Sequence, residues 1–267
     1  MPVLLSLLLC LQAPDSIPKY DSLTIASRAL NETRRINVHV PKAYDASPST
    51  RFPVLYMPDG GIDEDFPHIV NTVDSLVAVG QIRPVIVVGV PNTQRRRDLT
   101  GPTRIHSDSA IAAHVGGSAA FRQFFRDELI PEIDKRYRTT GERGIIGESL
   151  AGLFIVETFL REPDMFDHYI AFDPSLWWNK GALVDSAPAM LRGGLTEGVT
   201  HRSARRMPNR NLYVAVSRDG IDDQSDRFAA ALRFGGGFAW TYSSRPDLTH
   251  PTIFRALAAA GLSTVLR

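Results

Sequence analysis

The chain has 267 residues, 43% of them hydrophobic and 22% charged, with a formal net charge of +1. That length and balance describe one large folded domain, and the near-zero charge supplies no overall field to recruit nucleic acid or an acidic membrane surface. One cysteine, Cys10, excludes an intramolecular disulfide framework and a cysteine-based metal cluster; a His-Asp-Glu metal site stays open, but no His-Glu-x-x-His spacing occurs and no metal is expected.

Residues 3–11 form an apolar run that resembles the core of a short signal peptide. No Lys or Arg precedes it, and Leu11-Gln12-Ala13 before Pro14 is a poor cleavage site. The run favours a secreted or periplasmic chain over a cytoplasmic one, and it is too short for stable membrane insertion. Residues 14–267 are then expected to make a single domain.

Leu23 and Ile25, then Ile36, Val38 and Val40, alternate with polar residues as half-buried antiparallel edge strands do. Residues 54–57, 85–90, 144–146, 169–172 and 212–216 are instead continuous apolar runs, the mark of parallel strands covered on both faces. A last strand is predicted near residues 238–243. Helical periodicity lies between the strands, over residues 69–79, 118–136, 150–160, 224–233 and 253–262. Alternating strand and helix with right-handed crossovers gives an α/β fold: a doubly wound, mostly parallel sheet with antiparallel N-terminal edge strands and helices on both faces. Its functional loops then lie at the carboxyl ends of the strands. Residues 91–117 and 193–210 read as long irregular loops, and their basic stretches, Arg95-Arg96-Arg97 and residues 202–210, as solvated surface.

Residues 144–152 read Gly-Ile-Ile-Gly-Glu-Ser-Leu-Ala-Gly, an apolar run that ends at Gly147, presents Ser149 and passes at once into a helical pattern. This is the layout of a nucleophile elbow, in which a serine on a tight strand-to-helix turn stands clear of the backbone above unpaired helix N-H groups. Small residues two before and two after the serine, Gly147 and Ala151, let the turn close. A serine hydroxyl needs an imidazole to take its proton and usually a carboxylate behind that imidazole. In the α/β-hydrolase order, serine, acid, histidine, only His250 of the seven histidines lies beyond the last strand. The acid is expected just past residues 212–216, and Asp219 is the choice there. Asp222 and Asp223 read better as the cap and first turn of the next helix, and Asp173, after the preceding strand, stands in reserve. An oxyanion hole would use the N-H of Leu150 and that of Gly61, in the loop Pro58-Asp59-Gly60-Gly61. Trp177 and Trp178 follow Asp173-Pro174-Ser175 at a strand end. One of the two is expected to pack inward and the other to line a substrate pocket, with the choice open.

These residues sit in blocks that extend the comparison along the chain: residues 53–60 (Pro-Val-Leu-Tyr-Met-Pro-Asp-Gly), 97–100 (Arg-Asp-Leu-Thr), Gly116-Gly117 with Phe121, 128–137 (Glu-Leu-Ile-Pro-Glu-Ile-Asp-Lys-Arg-Tyr), the elbow through Phe154, and 174–178 (Pro-Ser-Leu-Trp-Trp). In this order they resemble the Putative esterase family of α/β-hydrolases, which includes esterase D, the enterochelin esterases, feruloyl esterases and the mycolyltransferases. The resemblance implies an α/β-hydrolase fold and a cofactor-free carboxylic ester hydrolase. It places the nucleophile on Ser149, the base on His250, the oxyanion donors on Gly61 and Leu150, and the acid near Asp219. Three positions depart from the pattern: Glu148 where a histidine is common, Ala151 in place of glycine, and residues 243–249 without the usual glycines. They bear on the substrate more than on the reaction. The expected partner is a small-molecule ester; an acyltransferase or a non-catalytic binding domain on the same fold are the alternative functions.

Overall fold

In the computed structural model, which describes residues 15–192 and 210–266, the apolar runs form the middle of one sheet. Its strands are β1 (Asp21–Ser27), β2 (Glu32–His39), β3 (Phe52–Pro58), β4 (Ile86–Val90), β5 (Thr139–Glu148), β6 (His168–Phe172), β7 (Asn211–Ser217) and β8 (Ala239–Arg245). They lie in the order β1-β2-β4-β3-β5-β6-β7-β8. β2 runs antiparallel to both β1 and β4, and every other pair is parallel. The described helices are α1 (Ala43–Ala46), α2 (Phe66–Ala78), α3 (Arg95–Leu99), α4 (His106–Ser109), α5 (Ser118–Phe124), α6 (Ile130–Arg136), α7 (Leu150–Arg161), α8 (Ala182–Leu191), α9 (Asp223–Leu232) and α10 (His250–Val265). The signal-like residues 1–13 and the basic residues 202–209 lie outside the described residues.

Successive strand residues point to opposite faces, so a strand buried on both sides must be apolar throughout. Val54 and Tyr56 of β3, Val88 of β4, Ile145 of β5 and Val214 of β7 join the core beneath α5 to α9. Their neighbours Leu55, Met57, Val87, Ile146 and Ala215 join the core beneath α2 and α10. The result is the expected three-layer α/β-hydrolase sandwich. β8 closes one edge and is largely exposed, which is why it alternates rather than running apolar.

Three departures have physical causes. The helix expected over residues 118–136 is interrupted: Pro131 has no N-H to give and its ring would press on the carbonyl one turn back, and the turn Phe125–Leu129 widens so that Ile130 N-H reaches Phe125 O. Helix α8 was not legible because Pro188 sits inside it. The loop over residues 91–117 is ordered by internal ion pairs rather than solvated. Arg34, fully buried, donates to Asp98 at 2.6 Å, and Arg97 bridges Asp98 at 2.7 Å and Glu32 at 2.8 Å.

Phe154, fully buried in α7, packs against Phe121 and Phe125 with ring centroids 5.1 and 5.8 Å away. Phe154→Ala is expected to lower stability by about 3–5 kcal/mol. Urea unfolding followed by tryptophan fluorescence measures it.

Candidate active site

Ser149 joins β5 to α7 with φ 61° and ψ −119°, left-handed backbone that a residue with a Cβ rarely adopts. The turn survives because its neighbours are small. A Cβ on Gly147 would lie 2.7 Å from that of Ala151, and one on Gly152 would lie 2.9 Å from Phe172 O. Hydrogen bonds fix the turn to the next strand: Ser149 N donates to Phe172 O at 2.9 Å, and Ser175 N to Ser149 O at 3.1 Å. The hydroxyl rests against Ser175 Oγ at 3.5 Å, and no hydrogen bond joins it to His250 in this state. Leu150 is the first residue of α7, so its N-H has no acceptor one turn back.

His250 opens α10, and its Nδ1 lies 3.1 Å from Asp173 Oδ2. The carboxylate facing the imidazole is therefore Asp173, at the end of β6, and the placement of the acid at Asp219 is corrected. Asp219 meets a different part of the same residue: its Oδ2 accepts the backbone N-H of His250 at 2.8 Å. It fixes the chain that carries the ring and does not touch the ring. Asp222 caps α9, accepting Ser225 N at 2.8 Å, and Asp223 starts the helix. Asp173 itself sits at φ 39° and accepts both Ser217 N and Ser217 Oγ at 2.5 Å. Gly220 makes room for it, since a Cβ there would stand 2.4 Å from Asp173 Oδ1.

The glycine loop after β3 is packed for close approach. A Cβ on Gly60 would fall 2.3 Å from Gly89 Cα on β4. Gly60 N donates to Val90 O at 3.1 Å, and Asn37 Nδ2 donates to Gly60 O at 2.9 Å. Arg95 forks onto both oxygens of Asp59, at 2.7 and 2.8 Å, so it is an internal ion pair rather than a solvated cation. Gly61 N donates to Glu64 Oε2 at 2.7 Å, a contact with no signal in the sequence reading.

The two tryptophans divide their roles. Trp178 is buried and its indole N-H donates to Gly101 O at 2.8 Å, whereas Trp177 is 49% exposed. The loop before α5 is pinned beside them: Asp108 Oδ2 accepts Asn179 N at 2.8 Å and Thr103 Oγ1 at 2.9 Å.

The electrostatics are acidic. Burial pushes the Glu148 carboxyl up to about 7, opposed by His250 and reinforced by Asp65, Asp173 and Asp59. Its Oε1 is buried with no hydrogen-bond partner. Burial, with the Asp59 charge, likewise pushes Asp65 to about 6. The hydrogen bond that the imidazole donates to Asp173 raises His250 above its ordinary value, burial works against it, and the Glu148 charge adds to the rise. For Asp173, burial works upward, but the hydrogen bonds from His250 and Ser217 outweigh it and hold the carboxylate low. One oxygen each of Glu148 and Asp173 and one ring nitrogen of His250 lie within 4.8 Å of one another, a spacing that could hold a cation, though Asp173 and His250 already satisfy each other there. Among the described residues, no helix is long and apolar enough to cross a membrane.

The strand order, the strained serine at the end of β5 and the histidine opening α10 define an α/β-hydrolase fold with a serine-centred site. Residues 27–223 match the family described as "Putative esterase", and the chain belongs to it. It is 30% identical over 185 residues to the ferri-bacillibactin esterase BesA of Bacillus subtilis, covering 62% of this chain and 61% of that protein. It is 27% identical over 160 residues to a siderophore enterobactin esterase of Emericella nidulans, covering 54% of this chain and 52% of that one. The matches thus span about half to three fifths of these relatives' lengths. The structure of an IroE-like serine hydrolase from Shewanella oneidensis superposes with a TM-score of 0.78 at 24% identity, covering 93% of this chain and 80% of that chain, which shows a shared fold.

The contacts of His250 make a direct titration informative. In Asp173→Asn and in Glu148→Gln the imidazole loses a carboxylate that favours its charged form, so its midpoint should move to lower pH in both. The larger move is expected for Asp173→Asn, which removes the main contributor. NMR titration of the His250 ring measures this, and a midpoint that stays in place in Asp173→Asn would contradict the geometry.

Proposed function

We propose that this chain is a serine carboxylic ester hydrolase working through an acyl-Ser149 intermediate. The observation that carries the reading is the strained serine at the end of β5 beside an Asp173–His250 pair anchored at the end of the neighbouring strand. With Nδ1 held by Asp173, the other ring nitrogen, Nε2, is the one free to accept a proton. The hydroxyl turns from Ser175 toward it when substrate binds; catalytic hydrogen bonds are commonly long in unliganded enzymes and tighten in the complex.

Ser149 Oγ then bonds to the ester carbonyl carbon as its proton passes to His250 Nε2. The carbonyl π electrons move onto oxygen, which the Leu150 and Gly61 N-H groups receive. When the intermediate collapses, the bond to the alkoxide breaks and the alkoxide leaves with the proton from His250. A water then gives its proton to His250 and attacks the acyl-serine, and the same sequence releases the acid and restores Ser149. Asp173 orients and stabilises the imidazolium and takes no proton itself. Trp177, exposed two residues beyond the Ser175 that touches Ser149, offers a flat apolar surface to the acyl or alcohol group. Because relatives are named as siderophore esterases, siderophore esters are the first natural substrates to assay, beside short-chain nitrophenyl esters.

A fluorophosphonate should label Ser149 in the folded protein, and failure to label would remove the reading. Ser149→Ala should abolish ester turnover, a loss of about 10⁴-fold or more in kcat, with the circular dichroism spectrum unchanged. Asp173→Asn should cost about 10³- to 10⁴-fold, and Asp219→Asn less than about tenfold, because only the first removes a carboxylate from the ring.

A further inference from the structure

The second oxyanion donor of that mechanism is already occupied. Glu64 Oε2 accepts Gly61 N-H at 2.7 Å and Asn92 N-H at 3.4 Å, while Oε1 accepts Asn92 Nδ2 at 2.7 Å. The turn is closed from its other end too, since Glu64 N donates to Gly61 O at 3.1 Å. A Cβ on residue 61 would stand 2.8 Å from Glu64 Oε2 and would push the carboxylate from the amide, so glycine there suits the contact. A carboxylate oxygen on an oxyanion donor carries the charge and accepts the hydrogen bond that the tetrahedral intermediate would, so the two compete for one N-H.

We propose that Glu64 is a latch on the oxyanion loop: its carboxylate holds the Gly61 amide in the resting protein and withdraws as the ester carbonyl oxygen arrives. The proposal rests on the Ser149 esterase reading. Two features of the surroundings allow the withdrawal. Glu64 is only half-buried, so the released carboxylate can be hydrated without the cost of a buried charge. The loop also has anchors independent of Glu64. Gly60 is held through Val90 O and Asn37, and Asp59 is held by the Arg95 fork. The donor therefore stays in place when its resting partner leaves. Glu64 acts as a positioning residue: it makes no bond to substrate and sets whether the donor is available.

Three variants test this in the full chain: Glu64→Ala, Glu64→Asp and Glu64→Gln. Each is read by kcat/KM on a nitrophenyl ester and by the second-order rate of Ser149 labelling with a fluorophosphonate. Asp keeps the charge but is one methylene too short to reach Gly61, whereas Gln keeps the reach and loses the charge. Both rates should rise about tenfold in Ala and Asp, equivalent to about 1.4 kcal/mol, and by less in Gln. A folded Ala variant with slower labelling would overturn the latch and make Glu64 a support of the loop. Rates unchanged in all three would overturn it as well, and an Asp variant that behaves like the unmodified protein would replace contact by a general field effect. If Ala fails to fold, Asp against Gln decides. Absence of labelling in the unmodified protein would defeat the esterase reading itself, whereas labelling that no variant accelerates defeats the latch alone.

Discussion

The Asp173–His250 hydrogen bond joins the end of β6 to the start of α10, two elements already packed together through Phe172 and Phe254. Asp173 leaves β6 in a left-handed conformation, which costs any residue with a Cβ though aspartate less than most, and the surroundings hold it there. Ser217 at the end of β7 does so with its amide and hydroxyl, Gly220 vacates the space that a Cβ would fill, and α10 brings the imidazole to the remaining oxygen lobe. Because Ser149 N is bonded to Phe172 O, directly before Asp173, the strain at the elbow and the strain at the acid share one anchor. Moving either would move the other. A parallel sheet suits this design, since it aligns the carboxyl ends of β5, β6 and β7 on one side of the molecule.

A second constraint comes from charge. The loops at this end carry Asp59, Glu64, Asp65, Glu148, Asp173 and Asp219, and cations answer only some of them. Arg95 is spent on Asp59, while Asp173 is satisfied by His250 and Ser217. Glu148 and Asp65 receive less compensation, and burial moves both toward the neutral acid at ordinary pH. The ordered insertion that carries α3 and α4 belongs to the same balance. Its guanidinium groups neutralise Asp59, Asp98 and Glu32, so the insertion supplies a scaffold for the Asp59-Gly60-Gly61 loop where a solvated basic surface was expected.

The layered fold was legible in the sequence because parallel strands covered on both faces leave unbroken apolar runs, and β3 to β7 obey that rule. The elbow was legible because a serine held at φ 61° forces small residues at Gly147 and Ala151, a pattern local enough to read. The facing carboxylate was not, since the choice between Asp173 and Asp219 depends on where β6 ends relative to β7, a distance of 44 residues along the chain between Asp173 and Ser217. Asp219 sits where chain order places an acid, yet its carboxylate accepts the backbone amide of His250 instead of facing the ring. Helix α8 was hidden by Pro188, and α3 and α4 by length, because helices of four or five residues form only under tertiary contacts such as Arg34 to Asp98.

Glu148 shows how the fold couples the neighbouring strand ends to the chemistry proposed for them. Its position is dictated by the elbow: the residue before Ser149 ends β5, and its side chain is half-sheltered beside His250 with one oxygen unpartnered. An ionised Glu148 stabilises the imidazolium, and the imidazolium in turn favours ionised Glu148. The proton that Ser149 would release thus enters a site with two carboxylates near the ring rather than one. Asp173 contributes direction, through a hydrogen bond to Nδ1; Glu148 contributes charge without a hydrogen bond, and so without fixing the ring. The two can therefore be varied separately: the amide in place of Asp173 disturbs the tautomer and orientation of His250, whereas the amide in place of Glu148 leaves both and changes only how strongly the ring holds its proton.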